Sequence, residues 1–104
     1  MHSYIIKVSP WALNDINSTT IWYNEQSNGL GMRFQKQVIK QINNLSQTAE
    51  VYKIRYSGVR CVVVKKFPFM IHFQIENDTV IIFAVLHTSR NPKIWDVLHK
   101  RNIK

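Results

Sequence analysis

The chain has 104 residues, 45% hydrophobic and 12% aromatic, the composition of one small globular domain and not of a disordered tail. Its single cysteine, Cys61, excludes an internal disulfide framework and any multi-cysteine zinc module, and fits a reducing compartment. Fourteen Lys and Arg against six acids give a formal net charge of +8. Residues 1–52 carry Lys7, Arg33, Lys36 and Lys40 against Asp15, Glu25 and Glu50, a net of +1, so the second half holds the remaining +7. That asymmetry points to a polyanion or an acidic protein as partner of the second half. Lys7 breaks the first apolar run too early for a signal-peptide core. The longest uncharged apolar stretch, Val80 to Leu86, is far short of the roughly 20 residues a membrane span requires. The expectation is a soluble, cytoplasmic protein.

Residues 3–8 read as a strand with Tyr4, Ile6 and Val8 on one face. Ser9-Pro10 then supplies an N-cap with proline at the first helical position. The following helix is expected to bury Leu13, Ile16, Thr20 and Tyr23, with Ala12 beside them. Ser27-Asn28-Gly29 ends it, and Leu30, Phe34, Val38, Ile42 and Leu45 mark a second helix antiparallel to the first. Val51 to Tyr56 reads as a short strand or extended arm broken at Ser57-Gly58. From Val59 to Lys65, Val59, Cys61 and Val63 alternate with Arg60, Val62 and Val64, before Phe67-Pro68 turns the chain. Phe69, Ile71, Phe73 and Ile75 alternate with Met70, His72, Gln74 and Glu76, and Asn77-Asp78 forms a two-residue hairpin turn. In the strand from Thr79 to His87, alternation sets Val80, Ile82, Ala84 and Leu86 opposite Ile81, Phe83 and Val85. Both faces of this strand look buried, which places it inside the sheet. Asn91-Pro92 opens a last short helix to about Arg101. The plan is α+β: one domain over residues 1–104, a twisted antiparallel sheet packed against the Ser9–Gln47 helical hairpin, with a short C-terminal helix.

No glycine-rich phosphate loop, His-Glu-x-x-His helix or nucleophile elbow is present. His2, His72, His87 and His99 lack paired ligand spacing, so neither a metal nor another cofactor is expected. Cys61 reads as a small buried hydrophobe without a neighbouring base. The best candidate site runs from His87 to Trp95, where a strand end meets a helix N-terminus suited to an anion. Arg90 offers a planar fork for phosphate or carboxylate, and His87 can move a proton. Trp95 either stacks a base or seals the core. Arg60, Lys65 and Lys66 lie around the preceding strand and extend the positive surface, or form a solvated face. Lys53 and Arg55, interleaved with Tyr52 and Tyr56, form a second basic pair of weaker meaning.

The order SPWALNDINSTTIWYNEQSNGLGMRF, then VRCVVVKKFPFMIHFQIENDTVIIFAVLHTSRNPKIW, resembles the RelE/ParE superfamily of toxins from bacterial type II toxin–antitoxin modules. The most specific parts are Trp22-Tyr23 before Gly29-x-Gly31, Val59-Arg60, Phe67-Pro68-Phe69, and His87-x-x-Arg90-x-Pro92-x-x-Trp95. The resemblance implies a small basic toxin, sheet on helical hairpin, bound by a cognate antitoxin. RelE-like members cleave messenger RNA in the ribosome, whereas ParE-like members, the plasmid-stabilisation type, poison DNA gyrase where understood. Aligned from the FPFMIHFQIENDTV hairpin, the two lysine positions of the RNA-cleaving type fall on Cys61 and Val63. Its strand arginine falls on Met70 and its C-terminal tyrosine on or near Asp96, leaving Arg90 alone retained. The resemblance therefore leans to a ParE-like, non-hydrolytic gyrase inhibitor. The alternatives are a ribosome-dependent endoribonuclease using His87 and Arg90, and a degenerate relative that binds its antitoxin without toxicity.

Overall fold

A computed structural model of the chain describes residues 3–89. A strand, β1 (Ile5–Val8), leads into two antiparallel helices, α1 (Pro10–Gln26) and α2 (Leu30–Thr48). A 3-10 turn at Ala49–Val51 precedes four further strands, β2 (Ile54–Tyr56), β3 (Val59–Val63), β4 (Phe69–Glu76) and β5 (Thr79–His87). The five strands form one sheet in the order β1-β5-β4-β3-β2. Neighbours are antiparallel except β1, which runs parallel to β5, so the sheet is mixed and not wholly antiparallel. Alternation alone is the same for either direction. The C-terminal helix expected from Pro92 lies outside the described residues.

The Ser9 side chain caps α1 by accepting the Ala12 N–H at 3.2 Å, with Pro10 at the helix start. Its buried residues are Ala12, Ile16 and Thr20, whereas Leu13, expected in the core, is half exposed. At 100° per residue Leu13 sits at the margin of that stripe, and Ala12 takes its place against the sheet. The connection to α2 turns through Gly29 in the left-handed region at φ 86°. Gly31 marks the closest approach of the helices: a Cβ there would run into the Thr20 carbonyl oxygen and the Asn24 side chain. Its N–H donates to Asn24 Oδ1 at 2.7 Å, pinning the start of α2 to α1.

The main core joins Ala12 and Ile16 of α1 and Phe34, Val38, Ile42 and Leu45 of α2 to Val62, Ile71, Phe73, Val80, Ile82 and Val85 of the sheet. A second cluster, built only from strand residues, occupies the other sheet face: Val59, Cys61, Met70, Phe83 and Ala84, with Tyr56 and Leu86 against it. Strict alternation assigned Ala84 and Leu86 to the face of Val80 and Ile82, and the structure corrects this. His72 pairs with Ala84 but Phe73 pairs with Ile82, so Phe83 is an extra residue in β5. This β-bulge shifts the phase by one, turning Ala84 and Leu86 outward and Val85 inward. Beyond it β1 no longer flanks β5, and Asp15 of α1 accepts the Val85 N–H at 3.0 Å in place of a strand.

Candidate functional site

The β3–β4 turn and the end of β5 meet at one end of the sheet. Phe69 pairs with His87, and the Thr88 N–H donates to the Pro68 carbonyl at 2.8 Å. Lys65 and Lys66, both exposed, lie on the same turn, with Lys66 at φ 69°. Arg60 stands apart, paired with Phe73 further along the sheet. Its Nη1 donates to the Tyr52 carbonyl at 2.7 Å and the Glu50 carbonyl at 3.4 Å, so its guanidinium clasps the segment before β2. Arg90 and Trp95, the other members of the expected site, lie outside the described residues.

His87 is exposed, and its ring lies 5.3 Å from that of Phe69. Its Nδ1 accepts the Ser89 backbone N–H at 3.1 Å and lies 2.7 Å from Ser89 Oγ. A backbone N–H can only donate, so Nδ1 carries no proton and the neutral ring bears its hydrogen on Nε2. In this tautomer the solvent-facing nitrogen is not a base, and taking a proton at Nδ1 breaks the turn to Ser89. Behind His87 an aromatic chain runs from Phe69 through Phe34, Phe67 and Tyr23 to Trp22, with successive centroids 5.1–5.3 Å apart. It ties the helical hairpin rigidly to the end of the sheet.

The opposite sheet face holds an arrangement that sequence reading missed. Cys61 lies directly across from His72, and Cys61 Sγ is 3.4 Å from His72 Nδ1. The Tyr56 hydroxyl is hydrogen-bonded to the same nitrogen at 2.9 Å. Cys61 therefore does have a neighbouring base, contrary to the expectation from sequence; the cross-strand register creates it. The base does not activate the thiol. Burial pushes Cys61 up to about 11 against the opposing charge of Arg55, while burial and then Arg55 drive His72 down to about 4. Both groups are neutral at physiological pH, so no thiolate–imidazolium pair forms. Of the positions aligned with cations of the RNA-cleaving type, Cys61 and Met70 are buried in this apolar cluster and Val63 is an exposed aliphatic. Among the described residues, no group of three metal-ligating side chains occurs, and no helix is long and apolar enough to cross a membrane.

Comparison with known proteins places this geometry. Residues 6–92 match the family model described as the ParE toxin of type II toxin–antitoxin systems. No curated protein matches the chain. Among solved structures, the chain is similar to a chromosomal ParDE toxin–antitoxin system from Pseudomonas aeruginosa, at TM-score 0.75 and 18% identity over 84% of this chain and 98% of that one. A mutant of the Escherichia coli toxin RelE in the free state superposes at TM-score 0.71 and 14% identity, covering 97% of this chain and 99% of that one. The RelBE2 toxin–antitoxin complex from Mycobacterium tuberculosis follows at 0.60 and 20%, covering 84% and 93%. At these identities the likeness carries the fold, and the family model carries the classification.

Proposed function

Because this chain belongs to the ParE toxin family of type II toxin–antitoxin systems, we propose that it arrests growth without cutting RNA, by binding DNA gyrase, and that a cognate antitoxin silences it. One observation supports the non-hydrolytic reading above others. RNA cleavage needs a group that stabilises a pentavalent phosphate and groups that move protons at two oxygens. The sheet face that carries positions aligned with such groups holds Cys61, Met70, Val59, Phe83 and Ala84, and the imidazole of His72 there is 1% exposed and held neutral. His87, at the rim, presents a protonated Nε2 because Ser89 occupies its other nitrogen. Such a site suits contact with a protein surface, where Arg90 would engage a carboxylate through its planar fork.

An antitoxin partner is supported by the company the fold keeps: the Pseudomonas and Mycobacterium neighbours are toxin–antitoxin assemblies. An acidic, amphipathic segment complements the +8 chain and the half-exposed Trp11, Leu13 and Trp22 along α1. Induced expression in a bacterial host, with plasmid supercoiling and transcript integrity followed in parallel, tests the reading. Altered supercoiling with intact transcripts is the expected outcome. Cut transcripts with normal supercoiling would overturn it in favour of an endoribonuclease using His87 and Arg90. Unimpaired growth would mark a relative that binds its antitoxin without toxicity.

A further inference from the structure

The charge map of the folded chain differs from that of the sequence. The helical hairpin reads as nearly neutral, yet α2 alone carries Arg33, Lys36 and Lys40, all exposed, and no acid. Between residues 26 and 75 the single acid is Glu50, and its carboxylate accepts the Tyr4 hydroxyl. At 100° per residue, Arg33 and Lys40 fall beside Gln37 on one flank of α2, with Gln41 on its sheet side and Lys36 about 100° away, facing solvent. Gln41 faces the end of β3. Gln37 Nε2 donates to Gln41 Oε1 at 2.7 Å, Gln41 Nε2 donates to the Val63 carbonyl at 2.8 Å, and the Lys65 N–H donates back to Gln41 Oε1 at 2.7 Å. Gln41 thereby splices the helical cations to Lys65 and Lys66, which the sequence keeps apart. Arg33 to Lys40 spans about 10 Å of helix axis at 1.5 Å per residue. None of the five is paired with a carboxylate among the described residues. Glu76 and Asp78 sit at the β4–β5 hairpin, at the far end of the eight-residue β4 and so roughly 25 Å away.

We propose that this flank of α2 and the β3–β4 turn together form a docking surface for the phosphate backbone of duplex DNA, read through charge and not through bases. The chemistry of the flank selects this occupant. Protein interfaces depend on aromatic or aliphatic anchors at their centre; the half-exposed Met32 and Ile39 of α2 lie on the far side of Lys36, so the strip through Arg33, Gln37, Lys40 and Gln41 offers cations and amides. Single-stranded nucleic acid is held by exposed aromatic platforms. Here Phe34 is buried, and Phe67 is packed against Tyr23 and Phe34 with centroids 5.3 Å apart. What remains is a rigid row of positive charge on a helix and a tethered turn, suited to fixed phosphates. The proposal stands apart from the identity of the toxin's target.

Fluorescence anisotropy with the purified full-length chain and a labelled 20-base-pair DNA duplex of arbitrary sequence provides the test, run as a salt titration. Combining Arg33→Gln, Lys36→Gln and Lys40→Gln should flatten the slope of log affinity against log salt by about 2.7, at about 0.9 for each phosphate no longer neutralised. Lys65→Gln with Lys66→Gln should flatten it by about 1.8. Lys7→Gln with Lys53→Gln removes the same charge as the latter pair from exposed positions elsewhere and should leave the slope unchanged. All substituted residues are exposed, and a thermal midpoint equal to that of the unsubstituted protein verifies the fold. The proposal is overturned by an unchanged slope in the triple variant, or by an equal flattening in the Lys7 and Lys53 control. It is likewise overturned by a tenfold preference for the single strand, or by displacement of the duplex by an acidic peptide of equal charge at equal concentration.

Discussion

Lowering the pH should destabilise this protein through one imidazole, and the size of the effect follows from where His72 sits. Its ring is 1% exposed, lies beneath Tyr56 and beside Cys61, and has its affinity for a proton reduced by burial and by the nearby Arg55 charge. In the unfolded chain the group takes a proton at its ordinary value of 6.5, whereas the folded state resists until about 4. Above pH 6.5 both states are neutral and the group contributes no pH dependence. As the pH falls below that value the unfolded state binds the extra proton, so stability is lost progressively until about pH 4. At about 1.4 kcal/mol per pH unit the full loss is about 3 kcal/mol, a large share of what a domain of this size possesses. Chemical denaturation of the purified protein and of His72→Phe, each at several pH values between about 4 and 7.5, isolates the contribution as the difference between the two curves. Carboxylates common to both proteins cancel. The unsubstituted protein should lose stability relative to the variant by about 3 kcal/mol across that window. A difference independent of pH, or an imidazole proton resonance titrating near the ordinary value of 6.5, would refute the closed and neutral state of this sheet face, and with it the argument against acid–base chemistry there.

Other perturbations have equally direct readings. Asp15→Ala removes the acceptor of the Val85 N–H just past the bulge and should cost about 1.5–3 kcal/mol in denaturant unfolding, with the loss of a hydrogen bond to a charged group. Gly31→Ala drives a methyl group into the Thr20 carbonyl oxygen and should cost about 1–3 kcal/mol by the same assay. His87→Gln leaves an acceptor for the Ser89 N–H and should retain growth inhibition within a few fold; complete loss in a folded protein would favour proton transfer by His87. Arg90→Lys keeps the charge but loses the bidentate fork, and should weaken target binding by about 1.5–3 kcal/mol in a toxicity or supercoiling titration.

Much of this fold is legible in the sequence because its boundaries are chemical. Ser9-Pro10, Asn28-Gly29 and Asn77-Asp78 mark a cap and two turns, and the structure uses each as such. The bulge in β5 is not legible. Val80 to Leu86 is apolar on both faces, so a slip of one residue leaves no trace in the pattern. The direction of β1 is hidden for a related reason, since Tyr4, Ile6 and Val8 alternate identically in a parallel or an antiparallel pair. The Tyr56, Cys61 and His72 cluster depends on register across three strands, which only hydrogen-bonded pairing supplies. Charge shows the same division: net values per half of the chain place the excess after residue 52, whereas Gln41 joins Arg33, Lys36 and Lys40 to Lys65 and Lys66 in space.

The most direct test of the central claim is the supercoiling activity of purified DNA gyrase titrated with this protein, with and without a cognate antitoxin. The account predicts that supercoiling falls as the toxin approaches stoichiometry with the enzyme and returns when the antitoxin is added. Full supercoiling at a large excess of a folded toxin that arrests growth in cells would contradict it.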